Sequence, residues 1–257
     1  VYVFRDAGAG GRAATVAQRI VTRLGQLTED LRLPFELDAG LRPEGRNGPI
    51  VRSLDSYRAY YERWSLTWEA QALLRARLAA GDDALATDFM ALADEVRYPA
   101  AFGAVEAREV RRIKARVESE RLPQAADPAR HLKLGRGSLS DVEWFVQLLQ
   151  LQHAHDTPAL RTTSTLGALS AAAEAELLSS TDAARLRAAW LIASRVRSAA
   201  MLWTGRTADV LPADRIQLDA IARLMAYPPG SAARLEEDYL RTTRLARQVF
   251  EKGFYVS

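Results

Sequence analysis

No cysteine occurs in the 257 residues, which excludes disulfide scaffolds, thiolate metal sites and cysteine nucleophiles together and suits a reducing cytosol. Histidine is nearly as scarce, with only His131, His153 and His155. His153 and His155 stand too close in sequence to share one helix face, so a histidine-built metal centre is not expected. Lysine is confined to Lys114, Lys133 and Lys252, leaving arginine to carry nearly all the positive charge. The formal net charge is only +3. Along 108–121 the arginines alternate with acids, the pattern of a solvated, self-paired helix face rather than a nucleic-acid stripe. Apolar runs such as 171–173 are far too short to span a bilayer, and the Val1 end carries no signal-peptide pattern. The expectation is a cytoplasmic protein with neither membrane nor nucleic acid as partner.

What is present suffices for a packed core: 48% hydrophobic against 26% charged residues, in a length suited to one large domain or two ordinary ones. Val1, Tyr2, Val3 and Phe4 form a run of strand formers with no preceding turn, as though a strand were entered midway. Gly8, Gly10 and Gly11 make a loop. Val16, Ile20, Leu24, Leu27 and Leu31 then recur at helical spacing over 14–31. In 33–41 apolar and polar residues alternate, predicting a strand with Glu36 and Asp38 on one face. From there the sequence turns helical. Ser53 is placed to cap a helix bearing Leu54, Tyr57, Tyr61 and Trp64, and 68–80 and 83–96 read as two more, separated by Gly81.

Tyr98-Pro99 breaks the pattern, and the domain boundary is placed there: 1–98 and 99–257. A charged helix over 105–122 follows, with Val110, Ile113 and Val117 as its buried positions. After an irregular connector come helices over 140–155, 164–178, 182–203 and 214–226. Tyr227-Pro228-Pro229-Gly230 is a hard stop, and Ser231 starts the last helix. The fold class expected is mostly α with a small α/β part, the second domain being a helical bundle.

Two segments break this plain pattern. In 35–51 an acidic strand runs into a loop holding Arg42, Glu44 and Arg46. Carboxylates are the hard oxygen ligands that magnesium requires, and arginines clamp polyphosphates through planar paired hydrogen bonds. The spacing by itself favours the plainer reading, an exposed strand face followed by an arginine-decorated turn. In 133–144, Lys133, Gly135, Arg136 and Gly137 immediately precede a helix start, where free amides and the helix dipole favour an anion. Asp141 and Glu143 in the first turn would compete for those amides. An ordinary capped helix start, with Trp144 filling the core, is the alternative, and the two stay open. Trp64 and Trp68, four apart, read as core; Trp190 and Tyr239 read as packing residues. No nucleophile elbow occurs.

The strings DAGLRPEGRNGPIVRSLDSYRAYYERW, WEAQALLRAR, RRIKARVESERLPQAADPARHLKLGRGSLSDVEW and VQLLQLQHAH resemble the glutamine synthetase adenylyltransferase family, most of all the C-terminal, adenylylating half of its actinobacterial members. The likeness runs over nearly the whole chain. It implies a polymerase-beta-type nucleotidyltransferase palm, truncated here, followed by a helical domain. It also implies transfer of AMP from ATP to a tyrosine of glutamine synthetase with release of pyrophosphate. Two magnesium ions would serve the transfer, and a PII-type signal protein and glutamine would tune it.

By position, Asp38 matches the third metal-binding carboxylate. The first two, from an Asp-x-Asp motif after a glycine–serine turn, are expected just upstream of Val1. The chain is therefore expected to be a fragment with little or no transferase activity of its own, since one carboxylate cannot hold two magnesium ions. Arg42 and Arg46 match positions expected near the triphosphate. Lys133, Arg136, Asp141 and Glu143 match a segment expected to close over ATP across the domain cleft. Ser138 replaces the usual second glycine of that segment, at a cost of about 1 kcal/mol if the position needs a left-handed backbone. A uridylyltransferase acting on the signal protein, or a non-catalytic module binding glutamine synthetase or the signal protein, are the alternatives.

Overall fold

The computed structural model describes residues 2–5, 7–28, 38, 40–124 and 126–256. The chain is mostly helical, with a small two-stranded parallel sheet. It forms two compact units, Val1–Phe102 and Gly103–Ser257.

The first unit opens with β1 (Tyr2–Phe4) and α1 (Gly10–Thr28), and β2 (Val51–Ser53) returns beside β1 in parallel, with Tyr2 opposite Val51 and Phe4 opposite Ser53. A parallel pair requires a crossover, and α1 lies within it. Of the α1 stripe, Val16, Ile20, Leu24 and Leu27 remain exposed while Ala17 is buried. The strand expected over 33–41 lies largely outside the described residues; Asp38, Gly40 and Leu41 are not in a strand. Among the described residues β1 pairs with β2, whose three residues are too few to display alternation in sequence.

Ser53 caps α2 (Leu54–Trp64) as expected, its Oγ accepting from Ser56 N–H at 3.2 Å, a bond worth about 1 kcal/mol. Leu54, Tyr57 and Tyr61 pack with Leu73, Leu92 and Ala93. The expected pairing of Trp64 and Trp68 in the core does not form. Helix α2 ends at Trp64, which is 60% exposed. Helix α3 (Thr67–Leu73) is shorter than expected because Arg97 closes its end, donating from Nη1 to the carbonyls of Leu73 at 2.9 Å and Ala76 at 3.0 Å. Arg97 is the last residue of α4 (Asp83–Arg97), whose N-cap Asp82 accepts from Leu85 N–H at 2.7 Å.

The second unit contains α5 (Ala104–Arg121), α6 (Leu139–His153), α7 (Thr165–Glu174), α8 (Ser180–Thr204), α9 (Arg215–Leu224) and α10 (Ala232–Phe250). Side chains of Ser164, Ser179 and Asp214 cap α7, α8 and α9. Helices α8 and α10 pack on each other and on α6 and α9, around a core including Leu132, Val196, Leu218, Ile221, Leu235 and Tyr239. On α5, Val110 is buried as the spacing predicts, but Ile113 and Val117 are half-buried, and the other buried positions are Ala107 and Lys114. Among the described residues no helix is long and apolar enough to cross a membrane.

Candidate functional site

The first loop of interest spans 38–48. Asp38 is exposed, and its Oδ1 accepts from Gly40 N–H at 2.7 Å. Its second oxygen has no hydrogen-bond partner among the described residues. One free, hard oxygen on a fixed carboxylate fits a single ligand of a divalent cation. Among the described residues no three Asp, Glu or His side chains gather into a group able to hold a metal.

Arg42 bonds its own loop, from Nε to the Gly48 carbonyl at 2.9 Å and from Nη2 to the Arg46 carbonyl at 3.0 Å. Arg46 is exposed. The two arginines therefore differ: Arg42 closes the turn, and the exposed Arg46 guanidinium has no acidic partner among the described residues. Glu44 takes a left-handed backbone with φ 63°, a conformation costing about 1 kcal/mol or more away from glycine. Its carboxylate pairs with Arg52, and its N–H donates to Tyr60 Oη at 3.4 Å. Tyr60 in turn donates to Glu69 Oε1 at 3.0 Å, while Glu69 Oε2 accepts from Leu66 N–H at 2.9 Å. Burial, followed by the bond to Glu69, raises the Tyr60 phenol above its ordinary pKa. Arg52, Tyr60 and buried Glu69 thus brace the loop. Nothing in their local spacing reveals this, because the contacts join the loop to two helices.

The second loop, 133–138, precedes α6. Its Lys133 and Arg136 are exposed, with no acidic partner among the described residues. Its glycines admit backbone rather than an anion. Gly137 has φ +70°, and a β-carbon there would fall 2.8 Å from Arg247 N and closer still to the Thr243 carbonyl. Gly135 packs equally tightly on the His131 carbonyl. Ser138 is extended, with φ −93°, so the left-handed position belongs to Gly137 and the conditional cost attached to the serine does not arise. Ser138 is fully buried; its hydroxyl donates to the Leu132 carbonyl and accepts from Tyr239 Oη at 3.4 Å. His131 is buried too, and its Nδ1 accepts from Leu134 N–H at 3.0 Å. Burial lowers its pKa, offset in part by Asp209.

Asp141 does not present its carboxylate to solvent. Its side chain is 1% exposed, with Oδ1 at 2.7 Å from Lys114 Nζ and Oδ2 at 2.9 Å from Arg247 Nη1. Oδ2 also accepts from Gly137 N–H at 2.7 Å. Lys114, wholly buried, also meets Glu118 at 2.9 Å and lies over the Phe250 ring. Arg247 reaches Glu118 at 3.3 Å and Glu251 at 2.7 Å. Burial opposes the Arg247 charge, but these acids outweigh it and hold the guanidinium more firmly protonated than usual. Glu143 and Trp144 are half-buried on the following turn.

Comparison with known proteins adds to this geometry. Residues 5–92 match the family model described as glutamate-ammonia ligase adenylyltransferase, and residues 107–254 match that described as GlnD PII-uridylyltransferase. A protein of Leifsonia xyli subsp. xyli, named bifunctional glutamine synthetase adenylyltransferase/adenylyl-removing enzyme, is 69% identical over 256 residues, covering 99% of this chain and 25% of its own. Proteins of the same name from Streptomyces avermitilis and Mycobacterium avium are each 52% identical, over 95% and 97% of this chain and 25% of theirs. The chain thus spans about a quarter of the length of these relatives.

Proposed function

We propose, for a chain that belongs to the glutamine synthetase adenylyltransferase family of nucleotidyltransferases, that it is the ATP-handling part of an enzyme that transfers AMP to a tyrosine of glutamine synthetase. In that reaction the tyrosine oxygen bonds to the α-phosphorus of ATP, the bond to the β-phosphate oxygen breaks, and pyrophosphate leaves as the phenol gives up its proton. Magnesium ions, when bound, neutralise the charge developing on the phosphates. Asp38 is the chain's own ligand for one of them. Arg46 meets a phosphate, and Arg42 holds the turn that carries it. On the second unit, Lys133 and Arg136 are read as cationic contacts for a phosphate. Asp141 acts from inside the second unit, and Glu143 lies beside it.

One carboxylate is too few for two ions, so on this reading the chain alone labels tyrosine slowly. The first unit corresponds to part of a polymerase-beta-type palm and the second to the family's helical bundle, working in the cytoplasm. A PII-type signal protein and glutamine belong to this reading as effectors, with no residue of the chain assigned to them.

The observation that carries the proposal is an exposed carboxylate two positions before a turn whose Arg46 is exposed and has no acidic partner among the described residues. The uridylyltransferase alternative draws on the match over 107–254. The same residues lie inside the 69% identity to a protein named adenylyltransferase, which favours the first reading. The test replaces the matching quarter of the Leifsonia enzyme by this chain and measures AMP transfer to glutamine synthetase. Arg46→Ala and Arg136→Ala should each raise the KM for ATP about tenfold, the size of one lost charged hydrogen bond. If both leave it within twofold, the proposal fails.

A further inference from the structure

We propose that Lys114 and Arg247 are positioning residues for the 133–138 loop. Acting through Asp141, they fix the loop's backbone and remove a negative charge from beneath its two cations. This rests on the reading of Lys133 and Arg136 as contacts to the substrate's phosphates.

A carboxylate at the start of a helix ordinarily attracts the free amides and repels an incoming anion. Asp141 holds that place on α6, yet both its oxygens are engaged by cations, the buried Lys114 at 2.7 Å and the half-buried Arg247 at 2.9 Å. The pairs neutralise it where water cannot. Glu118 and Glu251, the other acids of the cluster, lie against the same two cations. None of these three acids pairs with Lys133 or Arg136, so the loop keeps its positive charge toward solvent.

The same contacts set geometry. The ion pair of Oδ1 with Lys114 opposes rotation of the carboxylate, and Oδ2 faces Gly137 N–H, 2.7 Å away. Lys133 is tied at the other end, its carbonyl accepting from Ser140 N–H at 2.9 Å, and Arg136 N–H donates to the Pro128 carbonyl at 3.1 Å. The two exposed side chains therefore leave a backbone fixed on both sides. A methionine could fill the space of Lys114 without desolvating a charge. What the lysine adds is the direction and neutrality of Asp141.

The test uses the Leifsonia enzyme carrying this chain and combines ATP kinetics with hydrogen exchange of the 133–138 amides. Lys114→Met should raise the KM for ATP at least fivefold with kcat within twofold, and speed exchange at Gly137 at least tenfold. Adding Asp141→Asn, which removes the charge but keeps an acceptor for Gly137 N–H, should bring KM back to within twofold of the parent. Arg247→Met should repeat the signature and stands in should Lys114→Met not fold. If Arg136→Ala raises KM while Lys114→Met and Arg247→Met change neither KM nor exchange, the positioning role is refuted. If exchange quickens but Arg136→Ala leaves KM untouched, the reading of the loop as a phosphate contact is what fails.

Discussion

Gly137 and Thr243 meet backbone to backbone: no β-carbon fits between the loop before α6 and the carbonyl of Thr243 on α10. The glycine is thus required by helix packing and by its φ of +70°. Gly137→Ala should destabilise the chain by about 2–4 kcal/mol, combining a left-handed backbone with overpacking. Gly205, with φ +66° but open space around it, isolates the backbone part, and Gly205→Ala should cost about 1–2 kcal/mol. Urea unfolding of both variants decides this; equal losses would contradict the packing argument.

Ser138 gives the opposite expectation from a glycine-rich loop. Its buried hydroxyl donates to the Leu132 carbonyl from an extended backbone. Ser138→Gly should therefore destabilise, by about 1–2 kcal/mol from the lost buried hydrogen bond and the added chain entropy. A gain in the urea midpoint would show that the serine is strained.

Acid should weaken the second unit through His131. Burial lowers its pKa below the ordinary 6.5, so the unfolded chain takes up the proton first. The stability it contributes is complete above that value and falls as pH drops through it toward the folded value. Urea midpoints at pH 7.5 and 5.5 should show the loss. His131→Asn, which keeps an acceptor for the Leu134 amide, should lose less. An identical pH profile would remove His131 from the account.

Tyr60 links the 38–48 loop to Glu69. Tyr60→Phe leaves the buried Glu69 carboxylate with only the Leu66 amide among the described residues and should cost about 1–2 kcal/mol. Hydrogen exchange should quicken around 42–48 and 66–69 while the second unit is unchanged. Uniform exchange across both units would contradict the local brace.

Much of the helical framework was legible because capping is local. Ser53, Ser164 and Asp214 sit one residue before the helices they cap, and their hydroxyl or carboxylate oxygens bond amides three residues on. What escaped reading depends on long-range contact. Lys114 looks like one more solvated charge in RRIKARVESE, and only Asp141 and Arg247, distant in sequence, explain its burial. Arg97 cuts α3 short from across the first unit. The loop glycines at 135 and 137 carry the pattern of an anion-binding turn, while their immediate task is to admit neighbouring backbone. Arg42 and Arg46 are equivalent in sequence, and only the hydrogen bonds separate the one that shapes the loop from the one whose side chain stays exposed.

On the proposed function, Asp38 is a metal ligand of an AMP transferase. That role is tested most directly by Asp38→Asn in the Leifsonia enzyme carrying this chain, followed by transfer of labelled AMP to glutamine synthetase with magnesium present. Loss of a charged ligand at the reacting phosphates should lower kcat at least a hundredfold, with the unfolding midpoint unchanged because the side chain is exposed. A kcat within threefold of the parent would contradict the account.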